Sequence, residues 1–347
     1  MNWYLQSGKD SDIVINSKIV FYRNLSGFKF NLKKIEEIKA LKETIKDNLY
    51  NIGYDLKYFE LIDFDEVTKK SLLEKGLITN SFLSKDNENR AILINDEENI
   101  CILINDEDNI KIQVFSAGFD IVNTLNYAIE IDKKIEEIFG YQTSKKYGYL
   151  TTDLRNCGTG LRANAILHLP GLIKTGNINK VISTINSFGI SLKSKSFDMY
   201  EISNEQTLGL TENTIVRNLN VVIQKLIEQE KEARKFLANN NIELLDLVYR
   251  SLGILENCKK IDFEEAASLI SNIKLGVDLG LIKEVDDLKI MKLIIYSKPY
   301  NMQKYLGNNY DKIEQDIKRA EVIQEIIRKE WYLWHTNLQI GQKKQYK

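Results

Sequence analysis

Several residue types are scarce in this chain of 347 residues, and each scarcity excludes a class of protein. Three cysteines are too few and too scattered for a disulfide framework or a thiolate zinc site, and two histidines exclude a histidine metal cluster. No apolar run reaches the length of a membrane span, and the first ten residues lack the pattern of a signal peptide. We therefore expect a cytoplasmic protein that uses no membrane as a partner.

Charge of one sign is also lacking. Lys plus Arg number 48 against 49 Asp plus Glu, which gives a net charge of -1 and a pI near 6.3. No overall field attracts nucleic acid, so any anion site must be built locally. A hydrophobic content of 43% with 28% charged residues is typical of a globular protein, here of two domains.

The character of the sequence changes near residue 205, where β-rich runs mixed with helices give way to almost wholly helical patterns. This predicts an α+β domain over 1–212, an all-α domain over 213–330 and a flexible tail over 331–347. Strands are predicted at 13–22, 58–63, 91–94, 100–104, 110–115, 147–152, 165–169 and 196–202. Helices are predicted at 32–49, 65–74, 121–139, 178–187, 213–240, 242–252, 262–273, 286–296 and 311–330. Only two prolines occur and no Gly/Ser-rich linker, so the domains should pack together.

Three consecutive acids, Asp106, Glu107 and Asp108, lie between two predicted strands. The segment 94–99 has nearly the same sequence as 104–109, and its simplest interpretation is a hairpin turn. The second copy can be a solvated turn of the same kind or a site of chemistry. A second notable segment, 156–162, combines a Gly158-Thr159-Gly160 turn with Arg162 and leads into an apolar run.

Four separated segments, taken in order, resemble the signatures of the ATP:guanido phosphotransferase family. Residues 11–25 resemble its Ser-Ser-Arg-Ile-Arg-Leu-Ala-Arg-Asn element, and 105–113 its Asn-Glu-Glu-Asp-His signature. Residues 151–170 resemble its Thr-Asn-x-Gly-Thr-Gly-x-Arg-Ala-Ser segment, and 200–212 the stretch that closes the catalytic domain. Because the helical domain follows the catalytic one, the order is similar to that of bacterial protein arginine kinases of the McsB type.

The resemblance implies a catalytic domain with a central, mainly antiparallel sheet flanked by helices, followed by an all-α domain for dimerisation or phosphoarginine binding. It implies ATP and Mg²⁺ as cofactors, arginine side chains of proteins as substrates, a homodimer, and an activator or adaptor protein as a further partner. A metal ligand supplied directly by the protein is not implied.

Family roles pass to matching positions of this chain. Glu107 matches the catalytic glutamate, which accepts a proton from a guanidinium whose pKa exceeds about 12. Asp108 shapes the field around it, and Arg162 belongs to the cationic clamp on the transferred phosphoryl group. The nucleotide-binding positions are Ser17, Lys18, Lys111, Arg162, Ala163, Asn164, Ala165, Ile166 and Lys193.

Departures from the family pattern fall where phosphate would be held. Lys18, Lys111 and Lys193 stand where the family has arginines, and a lysine cannot reproduce bidentate arginine contacts. Val20 replaces a further arginine, and Asn109 and Gly76 replace histidines. The family cysteine is Asp153, and a Gly-Glu-Gly loop is missing between 194 and 197.

In the last helix, Asp316 is retained at a phosphoarginine-site position, but Gln315 replaces the arginine that would take the phosphate. Two hypotheses follow. One is an ATP-dependent protein arginine kinase with reduced activity, and the other is a catalytically impaired pseudokinase that acts as a binding or adaptor protein.

Overall fold

The computed structural model describes residues 1–84, 87–239 and 242–328, and the predicted tail over 331–347 lies outside them. The described residues form ten strands: β1 (Val14–Arg23), β2 (Lys57–Glu60), β3 (Ala91–Ile94), β4 (Ile100–Ile104), β5 (Ile110–Ala117), β6 (Thr143–Ser144), β7 (Gly148–Tyr149), β8 (Leu161–His168), β9 (Ile190–Ser194) and β10 (Met199–Asn204). Eight form one sheet in the order β2-β3-β4-β5-β1-β8-β10-β9, and β6 pairs with β7 alone. Every neighbouring pair is antiparallel, which confirms the predicted sheet.

The α-helices of the described residues are α1 (Ile35–Asp47), α2 (Leu49–Ile52), α3 (Glu66–Glu74), α4 (Asn80–Ser84), α5 (Ile121–Phe139), α6 (Pro170–Lys174), α7 (Ile178–Asn186), α8 (Glu212–Ala238), α9 (Ile242–Asn257), α10 (Phe263–Asp278), α11 (Asp287–Tyr296), α12 (Pro299–Leu306) and α13 (Lys312–Arg328). The predicted helical region after residue 205 is therefore confirmed. None of these helices has both the length and the apolar character that a membrane span requires.

The two faces of the sheet differ in character. One is apolar and packs against α1, α5, α6, α7 and α8 in a single core. The apolar stripe of α8, which includes Ile215, Leu219 and Ile223, lies in that core. The division at 212/213 stays a prediction, and α8 packs on the sheet although its sequence lies beyond that point. The other face carries polar side chains along its centre, among them Lys18, Arg162 and Asn164. The space on this side of the sheet is called the cleft below.

Four strand predictions were wrong in their bounds. The predicted strand over 58–63 ends at Glu60, and the one over 165–169 begins already at Leu161. The predicted strand over 147–152 shrinks to β7, because Gly148 has φ of +70° and Tyr149 pairs back onto Gly158. The predicted strand over 196–202 begins only at Met199, because Phe197 and Asp198 have φ of +66° and +52° in a tight turn. The strand before that turn, β9, was not predicted.

The helical region touches the sheet layer through specific polar contacts. His168 at the end of β8 lies 2.9 Å from the Ser271 hydroxyl of α10, which donates to Asp198 at 2.7 Å. On the polar side of the sheet, α12 packs against α3, where the Ser71 hydroxyl donates to Asn301 Oδ1 at 2.7 Å. These contacts place α11 and α12 at one end of the cleft.

Candidate active site

The acidic segment forms the turn between β4 and β5. Asn105 has φ of +60°, and its N–H donates to the Asn109 carbonyl at 2.8 Å, which closes the turn. Within it Asp106 and Asp108 are buried, whereas Glu107 is half-buried. The turn is therefore not simply solvated, because two of its three carboxylates are buried.

Asp108 joins this turn to two other signature segments. Its Oδ1 accepts from Asn24 Nδ2 and from the Thr152 N–H, both at 2.7 Å. Asn24 Oδ1 in turn accepts from the Asn109 N–H at 3.0 Å. Burial raises the pKa of Asp108, and the donors from Thr152 and Asn24 oppose that rise. The carboxylate is a positioning group that holds three segments together.

Asn109, at the family histidine position, has a structural role. Its Oδ1 accepts from the Leu25 N–H at 2.9 Å, and its Nδ2 donates to the Lys29 carbonyl at 3.0 Å. The side chain is buried and both of its polar atoms are bonded, so it anchors the segment after β1.

Strand register decides which predicted nucleotide-binding side chains meet. Successive side chains of a strand point to opposite faces. Lys18 pairs with Asn164, Tyr22 with Lys111, and Val20 with Arg162, so these side chains share the polar face. Ile166 lies on the same face because it is two residues from Asn164. Lys193 lies there too, because Ile166 and Lys193 are the cross-strand partners of Glu201 on its two sides.

Three other predicted positions face the opposite way. Ala163 and Ala165 are fully buried in the apolar core. Ser17 is fully buried as well, and its hydroxyl donates to the Gly118 carbonyl at 2.9 Å and accepts from the Asp120 N–H at 3.0 Å. Their side chains point away from the cleft, and only their backbones border it.

Lys111 is bound to the acidic turn. Its ammonium lies 3.4 Å from Asp106 Oδ2 and 5.2 Å from the centre of the Tyr22 ring. Burial lowers the pKa of Lys111, but Tyr22 and Asp106 outweigh burial and raise the pKa above its usual value. The lysine stays charged, with part of that charge neutralised by Asp106.

Arg162 is held rigidly at the same end of the cleft. Its Nε donates to Asn156 Oδ1 at 2.9 Å, and its Nη1 donates to the Asn204 carbonyl at 2.6 Å. The preceding glycine turn is required by close packing, because a Cβ on Gly160 would lie 2.3 Å from Arg23 Nη1. Asn204 also accepts from the Ala163 N–H at 2.7 Å, so one asparagine orients both the strand and its arginine.

Lys18 lies further along β1, at the edge of a cavity of about 370 Å³. Its ammonium donates to the Gly76 carbonyl at 3.0 Å and lies 4.6 Å from the centre of the Phe115 ring. Burial, with a further contribution from Lys111, lowers the pKa of Lys18 to about 7. Gly76, the replaced histidine position, lines the same cavity.

Lys193 is exposed near the end of β9, where the chain turns into β10. The turn at 195–198 lies where the sequence predicts that a Gly-Glu-Gly loop is missing. Its Lys195 pairs with Glu201 at 2.7 Å, while Phe197 packs in the core of the helical region. The short turn is therefore anchored at its tip.

The substituted Asp153 and Gln315 and the retained Asp316 all have partners within the protein. Asp153 binds Arg155 with a closest separation of 2.7 Å, and hydrogen bonds from Arg155 lower the pKa of Asp153. In α13, Asp316 is paired with the buried Arg319 at 2.7 Å. Gln315 donates from Nε2 to the Tyr310 carbonyl at 2.9 Å.

Sequence reasoning passed over three residues that matter to this geometry. Asn24 and Asn204 lie in the segments 11–25 and 200–212, so their positions in those signatures were a usable signal. Lys298, which lines the cavity beside Lys18, lies in no signature, and its local sequence carries no signal.

Comparisons with known proteins agree with this geometry. The family model described as ATP:guanido phosphotransferase, C-terminal catalytic domain, matches residues 37–233. The model described as protein-arginine kinase McsB C-terminal domain matches residues 241–336. The chain belongs to the ATP:guanido phosphotransferase family, in its protein-arginine kinase branch.

Similar proteins include curated protein-arginine kinases. One from Bacillus pumilus is 38% identical over 343 residues, covering 95% of this chain and 94% of the relative. One from Listeria welshimeri is 37% identical over 335 residues, covering 94% and 96%. Among solved structures, the duplicated taurocyamine kinase of Schistosoma mansoni superposes with a TM-score of 0.58 at 20% identity, covering 74% of this chain and 38% of that one. Lombricine kinase gives 0.56 at 20%, covering 67% and 70%. At this identity the two structures show the shared fold.

Proposed function

We propose that this protein transfers the γ-phosphoryl group of Mg-ATP to arginine side chains of cytoplasmic proteins, at a rate below that of family members with a full arginine clamp. The proposal is supported by the strand register, which puts Lys111 and Arg162 on the polar face of the sheet beside the turn that contains Glu107, and by the bonds of Asp108 to Asn24 and Thr152. Family membership supports ATP as the phosphoryl donor.

The nucleotide would lie along β1 and β8. Its terminal phosphate would reach Arg162 and Lys111, and its other end would extend past Lys18 into the cavity beside Gly76. Lys18 lies four residues from Tyr22, roughly 13 Å along an extended strand. Magnesium would arrive with the phosphates as part of the substrate. Of the three carboxylates in the acidic turn, that of Glu107 is the one that is not buried.

The chemistry follows from the charges. A guanidinium nitrogen of the substrate attacks the γ-phosphorus in line, while the bond from that phosphorus to the bridging β-phosphate oxygen breaks. The proton of the attacking nitrogen passes to the Glu107 carboxylate, and ADP leaves. Arg162, fixed by Asn156 and Asn204, requires little reorganisation to stabilise the charge on the transferred group.

The reduced rate rests on specific contacts. Val20 occupies a position of the polar face where the family has an arginine, and it brings no charge. Lys111 shares its charge with Asp106, and a lysine offers no bidentate fork. Loss of one fixed cation from a phosphoryl-transfer site costs on the order of 10³ or more in the case of an arginine finger.

The same substitutions support a second candidate, a pseudokinase that keeps the fold as an adaptor or as a partner of an active homologue. The occupied Asp316 and the anchored 195–198 turn favour it further, because neither is free to engage a substrate.

The deciding experiment measures transfer of labelled γ-phosphate from ATP to an arginine-rich protein, with acid lability identifying the phosphorus–nitrogen bond. Glu107→Gln should abolish transfer. Glu97→Gln is the matched control, since Glu97 holds the equivalent place in the repeated 94–99 turn and is exposed. Transfer that survives Glu107→Gln, or no transfer although Mg-ATP is bound, would reject the kinase proposal, and the second result would favour the pseudokinase.

A further inference from the structure

The cavity beside Lys18 is closed by the helical domain as well as by the catalytic domain. The sheet contributes Lys18 and Asn164, the β9–β10 turn contributes Lys195, and α11 with its following residues contributes Ile294, Ile295 and Lys298. At about 370 Å³ the cavity falls in the size range of small-molecule sites. Residues far apart in sequence, from both domains, thus share one enclosed space.

Four lysines line this space, namely Lys18, Lys75, Lys195 and Lys298. Lys75 is paired with Glu98 and Lys195 with Glu201. Lys18 and Lys298 bind backbone carbonyls, of Gly76 at 3.0 Å and Glu74 at 2.9 Å, which carry no full negative charge. Each ammonium has three donors, so donors remain for a ligand.

Two carboxylates line the same cavity, those of Glu74 and Glu201, so the four lysines outnumber them. The Glu74 carboxylate also accepts from the Tyr300 N–H and the Asn301 N–H at the start of α12. Burial lowers the pKa of Lys298, with Glu74 opposing this shift and Lys195 adding to it. An anionic ligand would offset the repulsion that Lys195 exerts on both Lys18 and Lys298.

A continuous set of contacts links Lys298 to the nucleotide-binding face. The segment from Glu74 to Leu77 leaves α3 and crosses the end of the cleft. From the helical domain, the Lys298 ammonium donates to the Glu74 carbonyl and the N–H groups of α12 donate to the Glu74 carboxylate. From the sheet, Lys18 donates to the Gly76 carbonyl, and Gln113 Nε2 donates to the Leu77 carbonyl at 2.7 Å. The same four residues are thus held from the helical domain and from the sheet.

We propose that Lys298, in the helical domain, is a nucleotide-binding residue, and that a bound nucleotide bridges the two domains. The inference rests on the proposed function, since it takes the ligand to be Mg-ATP. Lys18 and Lys298 meet the phosphates nearest the nucleoside, while the terminal phosphate extends to Arg162 and Lys111. The apolar wall formed by Ile294 and Ile295 meets the uncharged part of the ligand. The helical domain then contributes to nucleotide affinity directly.

The test is isothermal titration of Mg-ATP into the full-length protein and three variants. Lys298→Gln keeps a donor for the Glu74 carbonyl and removes the charge. Lys18→Met removes a nucleotide-binding position of the catalytic domain. Lys283→Met is the control, an exposed lysine of the helical domain outside this cavity. We expect Kd to rise at least tenfold for Lys298→Gln and for Lys18→Met, and to stay unchanged for Lys283→Met.

The outcomes separate the two proposals. Wild-type affinity in Lys298→Gln together with weakened binding in Lys18→Met would overturn the role of Lys298 and leave the proposed function intact. No binding by the wild type would overturn both. Hydrogen exchange provides a second measurement that does not depend on a variant's folding. In the wild type, Mg-ATP should slow exchange of the amides of Tyr300 and Asn301, and unchanged exchange despite saturation would contradict the bridge.

Discussion

The Asp108 carboxylate accepts a hydrogen bond from the backbone N–H of Thr152 at 2.7 Å, across 44 positions of sequence. This contact joins the acidic turn to the loop that precedes the glycine turn and Arg162. It ties the turn that contains Glu107 to the segment that leads to Arg162, so the spacing of the proposed site depends on one buried carboxylate.

Removing that carboxylate should therefore cost stability. We expect Asp108→Ala to lower the free energy of unfolding by about 1–3 kcal/mol, because the donors of Asn24 and Thr152 lose their acceptor. Urea unfolding followed by circular dichroism measures the change. In the repeated turn, Asp96→Ala is the control and should change stability by less than about 0.5 kcal/mol, since Asp96 is exposed and pairs only with the exposed Lys57. Equal losses of unfolding free energy in the two variants would show that the Asp108 hydrogen bonds stabilise the fold no more than the exposed Asp96 does.

Nucleotide binding should weaken as the pH rises through about 7. The pKa of Lys18 is lowered to about 7, so its ammonium is charged below that pH and loses its proton above it. A phosphate group favours the charged form, so Kd should rise by up to about tenfold per pH unit above 7. Lys18→Arg should remove this dependence, because arginine stays charged throughout. The same slope in that variant would assign the titration to another group.

An arginine at position 193 should bind the transferred phosphoryl group more strongly than the lysine does. Lys193 is exposed on the cleft side of β9, so an arginine can be accommodated without repacking. We expect Lys193→Arg to raise kcat/KM for phosphoryl transfer about tenfold, since bidentate contacts hold a phosphate more strongly than a point charge. Lys180→Arg, an exposed exchange on α7, should leave kcat/KM unchanged. A lower kcat/KM in Lys193→Arg would contradict the prediction and would indicate that this residue does not hold the transferred phosphoryl group.

Asp316 should act as a structural residue of the last helix. Asp316→Asn is expected to lower the free energy of unfolding by about 3 kcal/mol or more, because the buried Arg319 keeps its charge without its carboxylate. The control has the same spacing on the same helix. Glu321→Gln breaks the exposed pair with Lys318 and should change stability by less than about 0.5 kcal/mol. A small loss in both variants would leave Asp316 available for phosphoarginine.

Much of the fold followed from local pattern. Alternating and apolar runs predicted β1 and β3 to β5 closely, because β-branched residues dominate them. The hairpin 195–198 was mispredicted for a local reason as well. Phe197 and Asp198 adopt left-handed backbone conformations that neither residue signals in a sequence, and their tertiary contacts with the helical domain stabilise that turn.

The amino-acid sequence by itself determined the family, the antiparallel sheet and the residue types of the site, because those depend on ordered motifs and on the period of the apolar residues. Only the tertiary structure decided which of these residues meet. Strand register placed Lys18, Lys111, Arg162 and Asn164 on one face and Ser17 with the two alanines on the other. Packing between distant segments paired Asp316 with Arg319 and brought Lys298 beside Lys18. Such contacts depend on side-chain direction and on chain crossings that no local pattern records.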